Sequence, residues 1–459
     1  MSQDRKILYG VSSGFIFNIV SITVALVQFR LILSYLPKEI AGIWFLFITF
    51  GTYIAFFDLG ISPTLSREIS FILGSRDLDN NQKTKEIADL VATCRKIFRF
   101  FALAIFMCAL LLGGYVLDQS PTEIGTAWVL FSFGAALNLS TGAAFAVLYG
   151  LGSVATEKLI RSFTMGIGLV MSAASLIAGF GILGLAGAWV LQGMLARAFA
   201  HHFLYREYPE MKKAVGNARS EIVKKIAVPS LKWAVIGFGA ILILQTDNVI
   251  IAFMMGTSAI PSYEAIAKIA AALMSFSLLI VTSSSPFISK AYAENKLNVI
   301  QELLSRNVRL SLSLILIFAS FMAVFGDKVV NLWLGSGHFV GFPILWTFLV
   351  MAVLEVHHVA LATATMATGY IAFVWPALIA GLLNIAISLI LAQHLGLLGV
   401  ALGTMIAQIL TNNWYVPYVA LKHFKIPVWF YIKHTIFPMA ILFILCLAFN
   451  LFLKFTLMT

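Results

Sequence analysis

Apolar runs of about 18–26 residues follow one another along this chain almost from end to end, separated by short polar segments. A helix needs about 20 apolar residues to cross the hydrocarbon core of a bilayer. The pattern therefore dictates a polytopic membrane protein and excludes a string of soluble domains. Composition agrees: hydrophobic residues make up 60% and charged residues 11% of the chain, where a soluble domain runs near half and about a quarter. Membrane β-strands would alternate in polarity over about ten residues, whereas these runs are continuous and rich in Leu, Ile, Phe, Ala and Gly. The expected fold is all-α.

The runs fall at about 10–35, 42–66, 98–117, 126–150, 162–182, 184–205, 231–256, 262–287, 308–325, 343–368, 372–395, 398–420 and 436–453, which makes thirteen spans. The first follows Arg5 and Lys6, is too long for a signal-peptide core and has no small-residue cleavage site behind it, so it is expected to stay as an anchor. Lys and Arg in short loops set the orientation. With a cytoplasmic N-terminus, that side collects nearly all of them, among them Arg95, Lys96, Arg99, Lys212, Lys213, Lys224 and Lys225, and the other side keeps only Lys38, Lys328 and Lys454. The net charge of +11 is thus topological and calls for no nucleic-acid partner. A reporter fused after Lys212 is expected inside, and reporters after Ser120 and Thr459 outside. An external signal at Lys212 would reverse the whole topology; an internal one at Thr459 would remove only the last span.

The longest polar linker divides the spans into six and seven. Both halves open with a similar cadence: Arg30-Leu31-Ile32-Leu33 runs to Pro37 and Gly42-Ile43-Trp44, and Asp247-Asn248-Val249-Ile250-Ile251 runs to Gly256 and Ser262-Tyr263. This predicts an N-terminal six-helix lobe over 1–206, a cytoplasmic linker over 207–230, a like-oriented six-helix lobe over 231–421 and an extra C-terminal helix over 422–459.

Ionisable residues inside spans carry the functional argument, because a charge near mid-bilayer costs about 2.5–3.5 kcal/mol even on lenient scales. Arg30 lies close enough to the outer end of its span to snorkel, or it faces a cavity and binds an anion. Asp247 sits among Gln245, Thr246 and Asn248, four polar residues that cannot all face lipid; they tie helices together or line a cavity. Glu264 and Lys268 are spaced to pair on one helical face. Asp58, ahead of Gly60 and Pro63, is placed to take up backbone donors freed at a bend. Glu355 stands near the middle of the tenth span, with His358 one turn on and His357 adjacent. A carboxylate beside an imidazole can exchange a proton near neutral pH, which a proton-coupling site requires; a plain structural pair is the alternative.

Soluble-enzyme chemistry is missing. The chain has no phosphate-binding Gly-rich loop ending in Lys-Ser/Thr, no HExxH and no GxSxG, and Cys94, Cys108 and Cys446 form no CxxC pair. No enzyme activity, no metal and no cofactor are expected, with H+ or Na+ coupling left open.

Three stretches carry a family likeness: Arg30 to Pro37 leading to Gly42-Ile43-Trp44, Phe57-Asp58-Leu59-Gly60-Ile61-Ser62-Pro63 leading to Arg67-Glu68, and Thr246 to Ile251 leading to Gly256 and Tyr263. Over about residues 5–420 the chain resembles the polysaccharide-transporter branch of the multidrug/oligosaccharidyl-lipid/polysaccharide (MOP) exporter superfamily, in particular Wzx-type O-antigen flippases. It departs from that pattern in reading Pro261-Ser262-Tyr263 where Gly-Tyr-Tyr is usual, and in its thirteenth span. The resemblance implies two six-helix lobes in a V around a central cavity that opens alternately to either side of a bacterial inner membrane. It implies a cargo of undecaprenyl-diphosphate-linked oligosaccharide moved from the inner to the outer leaflet, for lipopolysaccharide biosynthesis, with a polysaccharide polymerase and a chain-length regulator as partners. Arg30 and Lys268 then become candidate diphosphate contacts, with Asp247, Asn248 and Asp58 as further substrate contacts and Glu355 with His358 as the ion-coupling pair. The alternatives are a MATE-type cation/drug antiporter, which would place carboxylates in a cation pocket, and a membrane-embedded transferase such as an O-acyltransferase, suggested by His357-His358.

Overall fold

A computed structural model of the protein describes residues 3–75, 78–117, 122–213, 216–370 and 372–456; Ser120 and Thr459, two of the reporter sites, lie outside them. The described residues form helices and no strand. In chain order these are α1 (Gln3–Tyr35), α2 (Lys38–Phe56), α3 (Ile61–Gly74), α4 (Asn80–Leu117), α5 (Thr122–Gly150), α6 (Val154–Ile177), α7 (Gly181–Glu207), α8 (Pro209–Lys213), α9 (Ser220–Leu244), α10 (Thr246–Met255), α11 (Ile260–Ala293), α12 (Leu297–Leu334), α13 (Phe342–Ala367), α14 (Val374–Leu395), α15 (Leu397–Leu410), α16 (Asn412–His423), α17 (Val428–Tyr431) and α18 (Phe437–Thr456).

The protein is a multi-pass, all-α membrane protein. Among the described residues, eleven helical segments are long and apolar enough to cross a bilayer. The expected span at 98–117 is the apolar second half of α4, which follows the polar start Asn80-Asn81-Gln82-Lys83-Thr84-Lys85-Glu86. Helices α15 and α16, of 14 and 12 residues, are each too short alone and meet at a break on Thr411.

Two more expected spans are broken, and polar residues sit at each break. Where α2 stops at Phe56, Leu59 and Gly60 take positive φ (47° and 71°) before α3 begins, a conformation that glycine adopts without strain. Where α9 stops at Leu244, α10 restarts after Gln245. Backbone groups freed inside a membrane need a partner from the protein, and the side chains at these breaks supply it, as detailed below.

The chain packs as two units, Met1–Phe238 and Gly239–Thr459. In the first, α5 is central and packs on α7, α4, α3 and α2, while α1 packs on α6 and α6 on α7. Its middle is aromatic: Phe131 stacks on Trp189 with centroids 5.6 Å apart and meets the edge of Trp44 at 5.6 Å. Such pairs add about 0.5–1.5 kcal/mol each to the packing, which matters where lipid offers no hydrophobic drive between helices. The stretch leading into α9 is strapped to this unit, with Arg219 paired to Asp89 at 2.8 Å and Lys225 to Glu68 at 3.0 Å.

In the second unit, α11, α12 and α13 pack on one another, α14 and α15 form a hairpin through Gly396, and α13 also contacts α15 and α16. The last helix, α18, lies on α12. There the Asn450 amide donates to Ser320 Oγ at 3.1 Å and Lys454 to the Val324 carbonyl at 3.3 Å, so its few polar groups face protein.

Candidate functional site

In the first unit, Arg30 stands in the last two turns of α1 and is exposed. Its guanidinium has no hydrogen-bond or ion-pair partner among the described residues; its carbonyl accepts from Ser34 Oγ at 2.8 Å. Asp58 lies in the turn between α2 and α3, and its Oδ1 accepts both the Ser62 amide (3.0 Å) and the Ser62 hydroxyl (2.9 Å). It thereby serves the first turn of α3, the use expected from Gly60 and Pro63 nearby. Arg67 and Lys225 lie against Glu68 at 3.3 and 3.0 Å.

The second unit holds a larger network at the α9–α10 break. The carbonyls that α9 leaves open are met from other segments: Thr246 Oγ1 donates to Leu242 O at 2.7 Å, and the Asn384 amide of α14 to Ile243 O at 3.1 Å. Asp247 Oδ2 accepts from the buried Tyr263 hydroxyl of α11 at 2.6 Å, and Thr404 of α15 lies 3.1 Å from Oδ1. Thr404 and Ser388 both reach Asn384 Oδ1 at 2.9 Å. One aspartate thus ties α10, α11, α14 and α15 together. Next to it, the Asn248 amide donates to Glu264 Oε1 at 2.6 Å, and Lys268 lies 3.4 Å from Glu264 Oε2. Lys268 therefore shares its charge with the carboxylate one turn before it.

Glu355 and His358 face each other on α13, with Oε2 and Nδ1 3.6 Å apart. The buried Oε2 has no hydrogen-bond partner among the described residues. His358 Nδ1 is also 3.0 Å from Asn413 Oδ1 on α16, while His357 Nε2 is 2.8 Å from the Tyr431 hydroxyl on α17. With its proton on Nδ1, His358 can serve Asn413 or turn it toward Glu355, whose second oxygen is otherwise unmet. Among the described residues no group of three or more His, Cys, Asp or Glu is placed to hold a metal.

The sequence reading passed over Arg197, an ionisable residue inside α7. The signal was available: it stands in an apolar run with His201 one turn on and Tyr205 two turns on.

No family model matches the chain. The "Uncharacterized membrane protein EpsK" of Bacillus subtilis (strain 168) is 23% identical over 192 residues, 39% of this chain and 36% of that protein, so the match spans little more than a third of the relative's length. Solved structures match over nearly the whole chain. A multidrug resistance MATE family transporter of the MOP superfamily aligns in its inward-facing conformation with a TM-score of 0.69 at 16% identity, covering 88% of this chain and 95% of that one. An outward-facing conformation aligns at 0.66 and 17% identity, covering 93% and 96%. A MOP superfamily transporter from Pyrococcus furiosus, described as having a binding pocket of reverse polarity that suggests a different function, aligns at 0.65 and 16%, covering 92% and 94%. At such identities the likeness is one of fold: the chain folds as the transporters of the MOP superfamily do.

Proposed function

We propose that the protein is a flippase that carries an undecaprenyl-diphosphate-linked oligosaccharide, such as an O-antigen repeat unit, from the inner to the outer leaflet of a bacterial cytoplasmic membrane by alternating access. The observation that carries this reading is the exposed cation near the end of α1. Arg30 is exposed without a partner among the described residues, whereas Asp58, Asp247 and Glu264 are each occupied by donors. A cargo meeting Arg30 meets a positive fork, which suits a diphosphate and not a cationic drug. Lys268 offers the second unit's cation, moderated by Glu264, with Asp247 and Asn248 holding the helices around it. On this reading the N-terminus is cytoplasmic and the product passes to a polymerase and a chain-length regulator.

A second reading, a MATE-type cation/drug antiporter, is favoured by the MATE structures among the fold matches. Purified protein in proteoliposomes separates the two. A flippase exposes a lipid-linked oligosaccharide to a membrane-impermeant reagent and leaves an ethidium gradient untouched; ethidium export without glycan flipping would replace the first reading with the second.

The chain has no nucleotide-binding motif, so an ion gradient is the intrinsic source of direction, and Glu355 with His358 is the pair suited to it. Coupling requires a site whose proton affinity differs between two conformations. Glu355→Gln is expected to leave melting temperature and glycan-lipid binding unchanged while slowing flipping and removing its response to an imposed proton gradient. Wild-type flipping at every external pH would make the pair structural and move the search to Asp58 or Asp247. A response that survives only with sodium would name the other ion.

A further inference from the structure

Arg197 lies about ten residues before the end of α7, roughly 15 Å along the helix from its terminus. Its Nη1 donates to Ser140 Oγ on α5 at 2.8 Å. Across from it on α4 stand Arg95 and Arg99, one turn apart, and both charges act on Arg197. Arg95 also reaches the Tyr205 hydroxyl at 3.4 Å, and His201 is held by the Arg197 carbonyl at 2.8 Å. Together these residues line a cavity of about 250 Å³. A neighbouring cavity of about 420 Å³ shares Arg95, Arg99 and Tyr205 and adds Lys96 with the apolar Ala88, Val91, Ala92 and Met211.

Neither cavity counts a carboxylate among its described lining residues. Two acids of these helices are used elsewhere: Asp89 holds Arg219 and the Asn217 backbone N–H, and Glu207 accepts from Ser153 and Thr156. A third cavity of the same unit, about 410 Å³ between α3, α5 and α6, shows the ordinary solution. There Arg67 pairs with Glu68, and Arg161 with Glu157. Like charges gathered side by side repel one another, and a fold that balances its arginines in one cavity leaves three unbalanced in another.

We infer that Arg95, Arg99 and Arg197 form a binding site for a phosphate-bearing anion, a diphosphate group above all. Guanidinium forks match phosphate oxygens bidentately. The small cavity suits a headgroup, since pockets for larger ligands run at about 300–1,000 Å³, and the larger, partly apolar cavity beside it takes what the headgroup is attached to. The ligand is either a lipid-borne diphosphate or a free one. The inference rests on the flippase reading only for the identity of that carrier.

The test is equilibrium binding of labelled inorganic diphosphate to the purified full chain in detergent. Measured on Arg30→Ala protein, so that the diphosphate contact proposed at Arg30 does not contribute, saturable binding at one site is expected, weakened about tenfold or more by Arg197→Gln and by Arg95→Gln with Arg99→Gln. Arg197→Lys should keep part of it, and Arg67→Gln, in the balanced cavity, all of it. If Arg197→Gln fails to fold, the exposed Arg99→Gln decides alone. Farnesyl diphosphate displacing the label at tenfold lower concentration than inorganic diphosphate assigns a lipid-borne ligand; equal potency assigns a free one. Absence of saturable binding, or binding that ignores all three arginines, overturns the site. Protein that flips glycan lipid without binding diphosphate here loses this site and keeps its function; protein that binds and does not flip does the reverse.

Discussion

Gly403→Val is expected to cost the second unit its native packing, seen as a large fall in melting temperature and a loss of monodisperse protein in detergent. Helices α14 and α15 are joined by Gly396 and lie against each other through Gly399 and Gly403. A Cβ at Gly403 would stand 2.2 Å from Ser388 Oγ and 2.6 Å from the Cα and N of Ser388. One at Gly399 would meet the Leu391 carbonyl oxygen at 2.2 Å. Apart from the Ser388 hydroxyl, these are backbone atoms of a neighbouring helix and cannot swing aside. Overpacking of this kind costs about 1–3 kcal/mol and occasionally more. The same contact holds Ser388 against Asn384 and the Val400 carbonyl, and the adjacent Thr404 against Asp247, so pushing the helices apart also strips donors from a buried carboxylate. Gly166→Ala and Gly187→Ala, where an added Cβ meets nothing within 4 Å, are the controls and should melt as the parent does. A Gly403→Val protein as stable as those controls would mean that α14 and α15 do not touch here.

That glycine pair marks the boundary of what the amino-acid order reveals. A Gly-x-x-x-Gly spacing is visible at 399–403, but it is common in membrane helices, and only the fold says which neighbour it faces. Hydropathy located the membrane crossings because each apolar run is a local property. It understated helix length: α12 runs over Leu297–Leu334 where the apolar run suggests 308–325, because charged residues continue a helix into water without leaving a hydropathy signal. The turn at Asp58 was legible from Gly60 and Pro63. The breaks at Gln245 and Thr411 were not, since neither has a Gly or Pro to announce it. Their stabilising partners, Asn384 and Thr404 for one and His358 beside Asn413 near the other, lie up to about 160 positions away. Local pairs such as Glu264 with Lys268 could be read from spacing; the bond from Tyr263 to Asp247 needed α10 and α11 to be set side by side. Arg197 was legible as one charge in an apolar run; that Arg95 and Arg99 gather with it needed α4 and α7 to be set side by side.

Arg30→Ala is expected to abolish glycan export while the protein still reaches the membrane in normal amount. The side chain offers five donors in a planar fork, and the structure gives that fork no partner among the described residues, although Ser34 is tied to the carbonyl of the same residue. A charge kept on a span without a partner is either reaching for the interface or waiting for an anion. The two differ in what substitution does. A snorkelling arginine contributes position, so lysine replaces it fully and alanine costs little, since the anchor's other residues hold α1 in place. An arginine that grips a diphosphate contributes charge-assisted hydrogen bonds worth about 1.5–3 kcal/mol each. Loss of two of them lowers occupancy by roughly two orders of magnitude or more. Arg30→Lys then keeps the charge, loses the bidentate geometry and restores export only in part. Surface glycan measured in a flippase-deficient host, alongside membrane abundance of each variant, decides between them: full display with alanine, or full rescue by lysine, returns Arg30 to the interface and removes the observation on which an anionic cargo rests.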